Sequence, residues 1–182
     1  MYFASTSLCD CRIAPSFGHW AFLADWQRAF PEAVSWAAPG LRDRAQVKNS
    51  SVRFEHDLGE ATPIEWGAGI DIGLVPGAAD FHEVYFFHRP TGTLILTDAI
   101  QNMEPDKLPA ITRTAVRLSG GTKATTPRYL RAVLRGRKAE ASAAVRNMLA
   151  LDPKRVIFAH GRWFDTDGAQ QLAHAFNWLV DE

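Results

Sequence analysis

The chain has 182 residues, of which 47% are hydrophobic and 11% aromatic, and its twenty basic and twenty acidic side chains give a formal net charge of zero. This composition excludes a disordered chain and suits a single domain over residues 1–182, in which residues 1–11 are either disordered or an incomplete first strand. A neutral chain lacks the broad positive potential that favours nucleic acids and anionic membranes, so neither is expected as a partner.

The sequence shows no membrane span or signal peptide, and its two cysteines do not form an ordinary disulfide. No apolar run approaches the roughly 18 residues that span a bilayer, and residues 1–8 lack the charged start and apolar block of a signal peptide. Cys9 and Cys11 are too close for an ordinary disulfide and need further ligands to bind zinc. The sequence therefore predicts a cytoplasmic protein whose cysteines are structural or incidental.

The first elements along the chain are a strand end at residues 12–15 and a helix over residues 16–30. Ser16 is the expected N-cap of this helix, and Pro31 is the expected stop. The apolar residues of the segment recur at helical spacing: Phe22, Leu23, Trp26 and Phe30. Short strands are predicted next, at residues 34–38 and 70–75.

A β-hairpin is predicted over residues 83–98. Its two strands are dense in β-branched, aromatic and aliphatic residues, and Pro90 and Gly92 supply turn chemistry between them. The second strand ends at Asp98. A later apolar run, residues 155–161, stops at His160. Two strand ends that carry an Asp and a His predict a site at one rim of a sheet.

The second half of the chain is predicted to be mainly helical. Residues 105–151 are rich in Ala, Leu, Arg and Lys and are interrupted at Gly120 and Pro127, which indicates two or three helices, one beginning at Pro127. A last strand at residues 156–159 and a last helix at residues 169–180 follow. The predicted class is mixed α/β, with strands first and helices late.

Five short motifs occur in a fixed order along the chain. They are Ile-Ala-Pro-Ser-Phe-Gly-His at 13–19, Ala-Pro-Gly-Leu at 38–41, Phe-His-Arg-Pro at 87–90, Leu-Ile-Leu-Thr-Asp at 94–98 and Phe-Ala-His-Gly at 158–161. Together they resemble the DUF4336 family, a divergent branch of the metallo-β-lactamase fold. The resemblance implies an α/β (α+β) protein with an αββα sandwich, shortened at its N-terminus. The open sheet edge of such a shortened form favours a homodimer.

The same resemblance implies a reduced metal site. Active members hold zinc or iron with a His-x-His-x-Asp-His loop, a His after a Pro-Gly turn, an Asp that ends a strand and a last His. Only Asp98 and His160 match this pattern residue by residue, and His19 lies in the loop at the position of the Asp. The other positions carry side chains that cannot bind metal: Pro15, Phe17, Trp20 and Ala78. The implied cofactor is one divalent ion, zinc or iron, bound by His19, Asp98 and His160, or none.

Asp98 and His160 are the predicted catalytic residues. With one metal they are ligands, and without it His160 is a general base oriented by Asp98. Structural alternatives remain open, since Asp98 could cap the segment that begins at Ala99 or make another structural hydrogen bond, and His160 could be a buried imidazole bonded to backbone. Arg89 and Arg162 are the predicted substrate-binding residues, with a structural ion pair as the alternative for Arg89.

Two functions remain open from the sequence. One is a small-molecule hydrolase with a reduced or lost metal centre, and the other is a non-catalytic ligand-binding or interaction domain that uses the same rim pocket. A basic series falls near one helical face and is interpreted as solvated rather than as a grip for phosphate or RNA: Arg128, Arg131, Arg135 and Lys138. No Gly-rich phosphate loop, Gly-x-Ser-x-Gly elbow or Cys-x-x-Cys pair is present.

Overall fold

Strands dominate the first half of the chain and helices the second half in the computed structural model, which describes residues 11–59 and 61–180. The strands are β1 (Cys11–Ala14), β2 (Val34–Ala37), β3 (His56–Asp57), β4 (Ile70–Pro76), β5 (His82–His88), β6 (Thr93–Ile95), β7 (Gln101–Asn102), β8 (Arg155–Ile157) and β9 (His160–Gly161). The α-helices are α1 (Leu23–Ala29), α2 (Ala45–Lys48), α3 (Ala110–Ser119), α4 (Arg128–Arg135), α5 (Lys138–Ala150) and α6 (Gly168–Val180). None of these described helices is long and apolar enough to cross a membrane.

The strands form two larger sheets and one short pair. The first sheet is parallel, in the order β1, β2, β3. The second has the order β4, β5, β6, β8, with antiparallel pairing except between β6 and β8, which run parallel. The short parallel pair joins β7 to β9. Because β7 follows β6 and β9 follows β8 along the chain, this pair lies beyond the ends of β6 and β8, at the rim where the site is expected.

Apolar side chains cover both faces of the second sheet, because successive residues of a strand point to opposite faces. Ile72 and Val84 face the first sheet and pack in one buried cluster with residues of β1, β2, α1 and α2. Val75 and Tyr85 face the other way and pack with residues of α4, α5 and α6, such as the fully buried Phe176. Two sheets therefore face each other with helices outside, as the sequence analysis predicted.

Several predicted elements are confirmed in place. The hairpin consists of β5 and β6, joined by a 3₁₀ turn at Arg89–Thr91, and Gly92 takes the left-handed conformation that the turn needs, with φ of 60°. Pro127 directly precedes α4. The last helix buries the predicted apolar face: Leu172, Phe176 and Leu179. Cys11 lies in β1, while the expectation for residues 1–10, including Cys9, falls outside the described residues.

The helix predicted over residues 16–30 is shorter than expected, because α1 begins only at Leu23. Ser16 is not its N-cap. Its backbone forms an isolated antiparallel bridge with Glu83, and the neighbouring Val84 N–H donates to the carbonyl of Pro15 at 2.8 Å. This pairing with β5 holds the chain extended where the sequence pattern predicted a first helical turn. The segment between β1 and α1, residues 15–22, is therefore a loop, called here the β1–α1 loop.

Candidate metal centre

Three segments that are distant in the sequence meet at one end of the hairpin. The β1–α1 loop is held there by its pairing with β5. The chain leaving β6 is held against β8, because the Leu96 N–H donates to the Ile157 carbonyl and the Ala159 N–H donates to the Thr97 carbonyl. In β9, His160 pairs with Gln101 of β7. These contacts place one side chain from each segment at a common point.

Those three side chains are His19, Asp98 and His160, and they are in direct contact. One carboxylate oxygen of Asp98, Oδ1, accepts a hydrogen bond from Nε2 of His160 at 2.8 Å and from Nε2 of His19 at 3.1 Å. The other oxygen, Oδ2, accepts a hydrogen bond from the hydroxyl of Ser16 at 3.2 Å. The structure thus brings the three residues into one site, whereas their roles as ligands or catalytic groups stay predictions.

The structure contradicts two specific alternatives, a helix N-cap at Asp98 and a backbone-bonded imidazole at His160, whereas structural hydrogen bonding by Asp98 stays an alternative to a catalytic role. In the described chain no helix begins at Ala99, so Asp98 is not an N-cap. The imidazole of His160 is partly exposed and bonds to Asp98 rather than to backbone. Both side chains instead point toward a common opening at the rim.

The charges at this point favour an ionised carboxylate. Burial of Asp98 acts to raise its pKa, but the hydrogen bonds from His160 and His19 and the positive charge of these rings outweigh burial and hold the pKa well below its usual range. The hydrogen bond to Asp98 raises the pKa of His19, against the opposing effect of desolvation. Asp98 therefore acts as the acceptor for both imidazoles.

A second carboxylate, Glu83, lies directly beneath the site and was missed by the sequence analysis. It is fully buried, and its two oxygens accept the backbone N–H groups of Thr97 at 2.7 Å and of Asp98 at 3.0 Å. Burial, and then the charge of Asp98, raise the pKa of Glu83 to about 7, although the two backbone bonds act in the opposite direction. Glu83 thus fixes the backbone that carries Asp98. A charged residue inside an otherwise apolar strand was the available sequence signal.

We expect the free energy of unfolding of the metal-free protein to fall as pH rises through the Glu83 titration. Because the folded pKa, about 7, lies above the unfolded value of 4.5, this contribution is fully present below about pH 4.5 and is lost as pH rises through 7. His19, whose pKa is also raised, lowers the free energy of unfolding with rising pH only above about pH 6.5. Asp98, whose pKa is lowered, makes the free energy of unfolding rise with pH, and only below about pH 3.8.

The range from about pH 4.5 to 6.5 therefore isolates Glu83. Urea unfolding at several pH values should show a slope of at most about 1.4 kcal/mol per pH unit in the unmodified protein. The Glu83→Gln variant should lose this slope. An identical slope in both proteins would contradict the assignment.

Two further polar residues lie beside His160 and were also not selected from the sequence. Gln101, the pairing partner of His160, donates from its amide to the hydroxyl of Tyr129 at 2.9 Å. Burial raises the pKa of Tyr129, the Gln101 bond lowers it, and the charges of Asp98 and Glu83 raise it further. Tyr129 is therefore within electrostatic range of the site.

The two predicted substrate-binding arginines occupy different places. Arg89 follows the far end of β5, six residues from Glu83, or about 20 Å at ~3.3 Å per strand residue. Its Nε lies 2.8 Å from a carboxylate oxygen of Asp71, so Arg89 lies away from the candidate site and forms the structural ion pair that was its alternative. Arg162 follows β9 at the rim with an exposed side chain, and its backbone is bonded to Asn102. A substrate contact for Arg162 stays a prediction.

The basic series is mostly exposed, as predicted: Arg128 and Arg135 on α4 and Lys138 at the start of α5 are exposed, whereas Arg131 is half-buried. The guanidinium groups of Arg131 and Arg135 also lie 5.1 and 5.4 Å from the ring centroid of Trp178, and Nε of Arg131 donates to the carbonyl of Thr126. These arginines therefore hold α4 against α6.

A cavity of about 600 Å³ opens over the site. Its polar lining comes from the three residues His19, Asp98 and His160. The other described lining residues are glycine and apolar side chains: Ile13, Pro15, Gly18, Trp20, Ala21, Phe22, Leu23 and Trp26. The donors therefore lie at the base of an opening large enough for a small organic molecule.

The donor set fits one divalent ion. The ligand atoms of His19, Asp98 and His160 all lie within 4.8 Å of one another, and among residues 11–59 and 61–180 they are the only group of three or more such side chains. Two imidazoles and one carboxylate are a ligand set that proteins use for catalytic zinc and for non-haem iron, both of which keep open coordination positions. Glu83 adds no donor, because both of its oxygens accept backbone N–H groups.

No protein-family model matches the sequence, and no curated protein matches it. Several solved structures, in contrast, align with this chain. DIM-1 metallo-beta-lactamase exposed to ceftazidime aligns at a TM-score of 0.54 and 12% identity over 91% of this chain and 66% of that one. Rubredoxin oxygen:oxidoreductase from Desulfovibrio gigas aligns at a TM-score of 0.59 and 11% identity, over 97% of this chain and 45% of that one. The peroxy diiron form of the chemotaxis sensor ODP aligns at a TM-score of 0.55 and 13% identity, over 90% of this chain and 66% of that one.

These neighbours differ in their named activities, and at such low identity they share only the architecture with this chain. The chain spans about two thirds of the lactamase and sensor chains and under half of the oxidoreductase chain. No matching family model supports the finer resemblance to DUF4336, which stays a prediction. The element order, the facing sheets and the agreement with these structures together show that the chain has the metallo-β-lactamase fold.

Proposed function

We propose that this protein is a metal-dependent hydrolase of small molecules that works with one divalent ion, zinc or iron, bound by His19, Asp98 and His160. The observation that carries the proposal is the convergence of these three donors, within 4.8 Å, at the base of an open cavity. A named lactamase and a named diiron protein among the structural neighbours support metal chemistry in this fold.

A single ion is proposed because the part of the chain that the structure describes brings together only three donors, too few for two ions. The β1–α1 loop supplies one imidazole, and its other positions carry Pro15, Phe17 and Trp20. Ala78, after the Pro-Gly turn, has no donor atom either. With three protein ligands, one ion keeps a position for water or substrate.

A divalent ion in such a site lowers the pKa of bound water toward neutrality and polarises a carbonyl oxygen. The chain's own residues provide the positioning. Glu83 anchors the backbone of Asp98, and Ser16 holds the carboxylate oxygen that faces away from the imidazoles.

In the absence of metal, Asp98 and His160 retain a simpler chemistry. The Nε2–H of His160 donates to Asp98, so the neutral ring presents Nδ1 as its proton acceptor. This arrangement supports general-base action on a substrate proton. A protein without metal and without hydrolysis would instead fit the second reading, a ligand-binding domain that uses the same cavity.

The test is metal content and affinity. Protein purified without chelator should hold at most one zinc or iron ion per chain by elemental analysis. Titration calorimetry should show affinity reduced by about 100-fold in His19→Ala and in His160→Ala, since each loses one of only three ligands. His174→Ala, which removes an exposed imidazole on α6, is the matched control and should bind metal normally.

Two tightly held ions per chain would contradict the single-ion site. Equal metal affinity in His160→Ala and His174→Ala would remove His160 from the ligand set. Hydrolysis of model esters by the same variants then distinguishes metal-dependent hydrolysis from general-base action of His160 without metal.

A further inference from the structure

Three large aromatic side chains on and beside α1 are exposed rather than packed in the core. Phe22, Trp26 and Phe30 are 75%, 56% and 54% exposed, and in this group of helically spaced apolar residues only Leu23 is buried. The rings of Trp26 and Phe30 are stacked, with centroids 5.6 Å apart and planes inclined by 17°. Single exposed apolar residues are normal, but a contiguous aromatic group indicates a binding surface.

This group is continuous with the candidate metal centre. Trp20, Phe22 and Trp26 line the cavity of about 600 Å³ whose base is formed by His19, Asp98 and His160. Trp26 also lines a second cavity, of about 560 Å³, together with Phe30. An aromatic surface therefore leads from the three donors outward along α1. The aromatic wall is defined here as Trp20, Phe22 and Trp26.

The charges of the first cavity restrict what it can bind. Among the described residues that line it, none is Lys or Arg, and the only ionisable groups are the three donors themselves. A ligand carboxylate or phosphate inside this first cavity would have no Lys or Arg partner, although such groups usually bind to Arg or Lys. Arg12 lines the second cavity instead, where its guanidinium donates to the carbonyl of Trp26 at 3.2 Å. Aromatic faces instead favour uncharged rings, which they bind by stacking and edge-to-face contact.

We propose that the aromatic wall binds the apolar part of an uncharged aromatic or fused-ring compound, whose single polar group reaches the Asp98 carboxylate and its two imidazoles. The assignment of the polar end rests on the proposed function, whereas the assignment of the ring end rests on the wall alone. The volume of the cavity lies within the range of about 300–1,000 Å³ that is typical of small-molecule sites.

The test uses the full chain and N-phenyl-1-naphthylamine, a neutral probe that fluoresces in apolar surroundings. We expect saturable binding by the unmodified protein, weakened about tenfold by Trp26→Ala and by Phe22→Ala. The matched controls are Ile111→Ala and Leu118→Ala, because these α3 residues are 88% and 69% exposed and line neither cavity. Both control variants should bind the probe normally.

The metal ligands separate this inference from the proposed function. His160→Ala should retain probe binding even if it loses metal, so each proposal can fail without the other. Circular dichroism checks that the variants are folded. If Trp26→Ala does not fold, Phe22→Ala decides, since Phe22 is the most exposed residue of the wall.

Three results would overturn the proposal. The first is probe affinity that is unchanged in both Trp26→Ala and Phe22→Ala. The second is an equal loss of affinity in Ile111→Ala, which would indicate general surface adsorption. The third is sedimentation of the unmodified protein as a dimer that Trp26→Ala dissociates, with no probe binding, which would make the wall an interface between two copies of this chain.

Discussion

Replacing Glu83 with alanine should lower the free energy of unfolding by about 3 kcal/mol, because it leaves two buried backbone N–H groups without acceptors and each such loss costs about 1–3 kcal/mol. These are the backbone N–H groups of Thr97 and Asp98, which donate hydrogen bonds to the Glu83 carboxylate at 2.7 and 3.0 Å. No water can replace the carboxylate easily, since Glu83 is fully buried. Urea unfolding followed by circular dichroism measures the effect.

The site should weaken together with the fold in this variant. Asp98 loses its backbone anchor, so the contacts of its carboxylate with His19 and His160 should loosen and metal affinity should fall. Glu104→Ala is the control, because Glu104 is an exposed glutamate that pairs with Lys107 at the surface. Its unfolding curve should coincide with that of the unmodified protein. A Glu83→Ala midpoint equal to that of Glu104→Ala would show that Glu83 does not anchor the site.

Replacing Gly161 with alanine should be as severe, with a loss of about 3 kcal/mol in the free energy of unfolding. Gly161 has φ of +104°, a conformation that L side chains rarely adopt. An added Cβ would lie 2.0 Å from the carbonyl oxygen of Asn102 and 2.2 Å from its carbonyl carbon. This neighbour is backbone of β7 and cannot turn aside, so β9 must separate from β7.

The separation should move the preceding residue, His160, away from Asp98, so metal affinity should fall as well. Gly120→Ala is a matched control. Gly120 also has a positive φ, +83°, but an added Cβ there would have no atom within 4 Å. This variant should lose only about 1 kcal/mol, from backbone conformation alone, and should bind metal normally. Equal losses in the two variants would show that close contact with β7 does not position His160.

The metallo-β-lactamase fold does not by itself determine the reaction. A lactamase, an oxygen:oxidoreductase and a diiron sensor share this architecture with the chain at 11–13% identity. The chain's own evidence for a reaction is its donor set, in which one loop imidazole, one carboxylate and one strand-end imidazole converge. The function must therefore be argued from these residues and from the cavity above them.

Most of the features that the amino-acid sequence predicts correctly here are local. The hairpin of β5 and β6, the start of α4 after Pro127 and the buried face of α6 follow from residue periodicity and turn chemistry within each segment. The meeting of Asp98 and His160 was predicted from two apolar runs that each end in a polar residue and from the family resemblance, and the structure places both residues three positions beyond the ends of the parallel neighbours β6 and β8. Ends of parallel neighbours lie at the same edge.

Features that depend on contacts between distant segments were decided only by the tertiary structure. Pairing of the β1–α1 loop with β5 prevents the predicted helical turn at Ser16 and turns its hydroxyl toward Asp98. The antiparallel hairpin carries Arg89 to the end opposite Asp98, and Glu83 is fully buried with its carboxylate bonded to the chain that leaves β6. Helical spacing placed Phe22 and Trp26 on one helix, but burial depends on what packs against that helix, and the described structure leaves these rings open to the cavity.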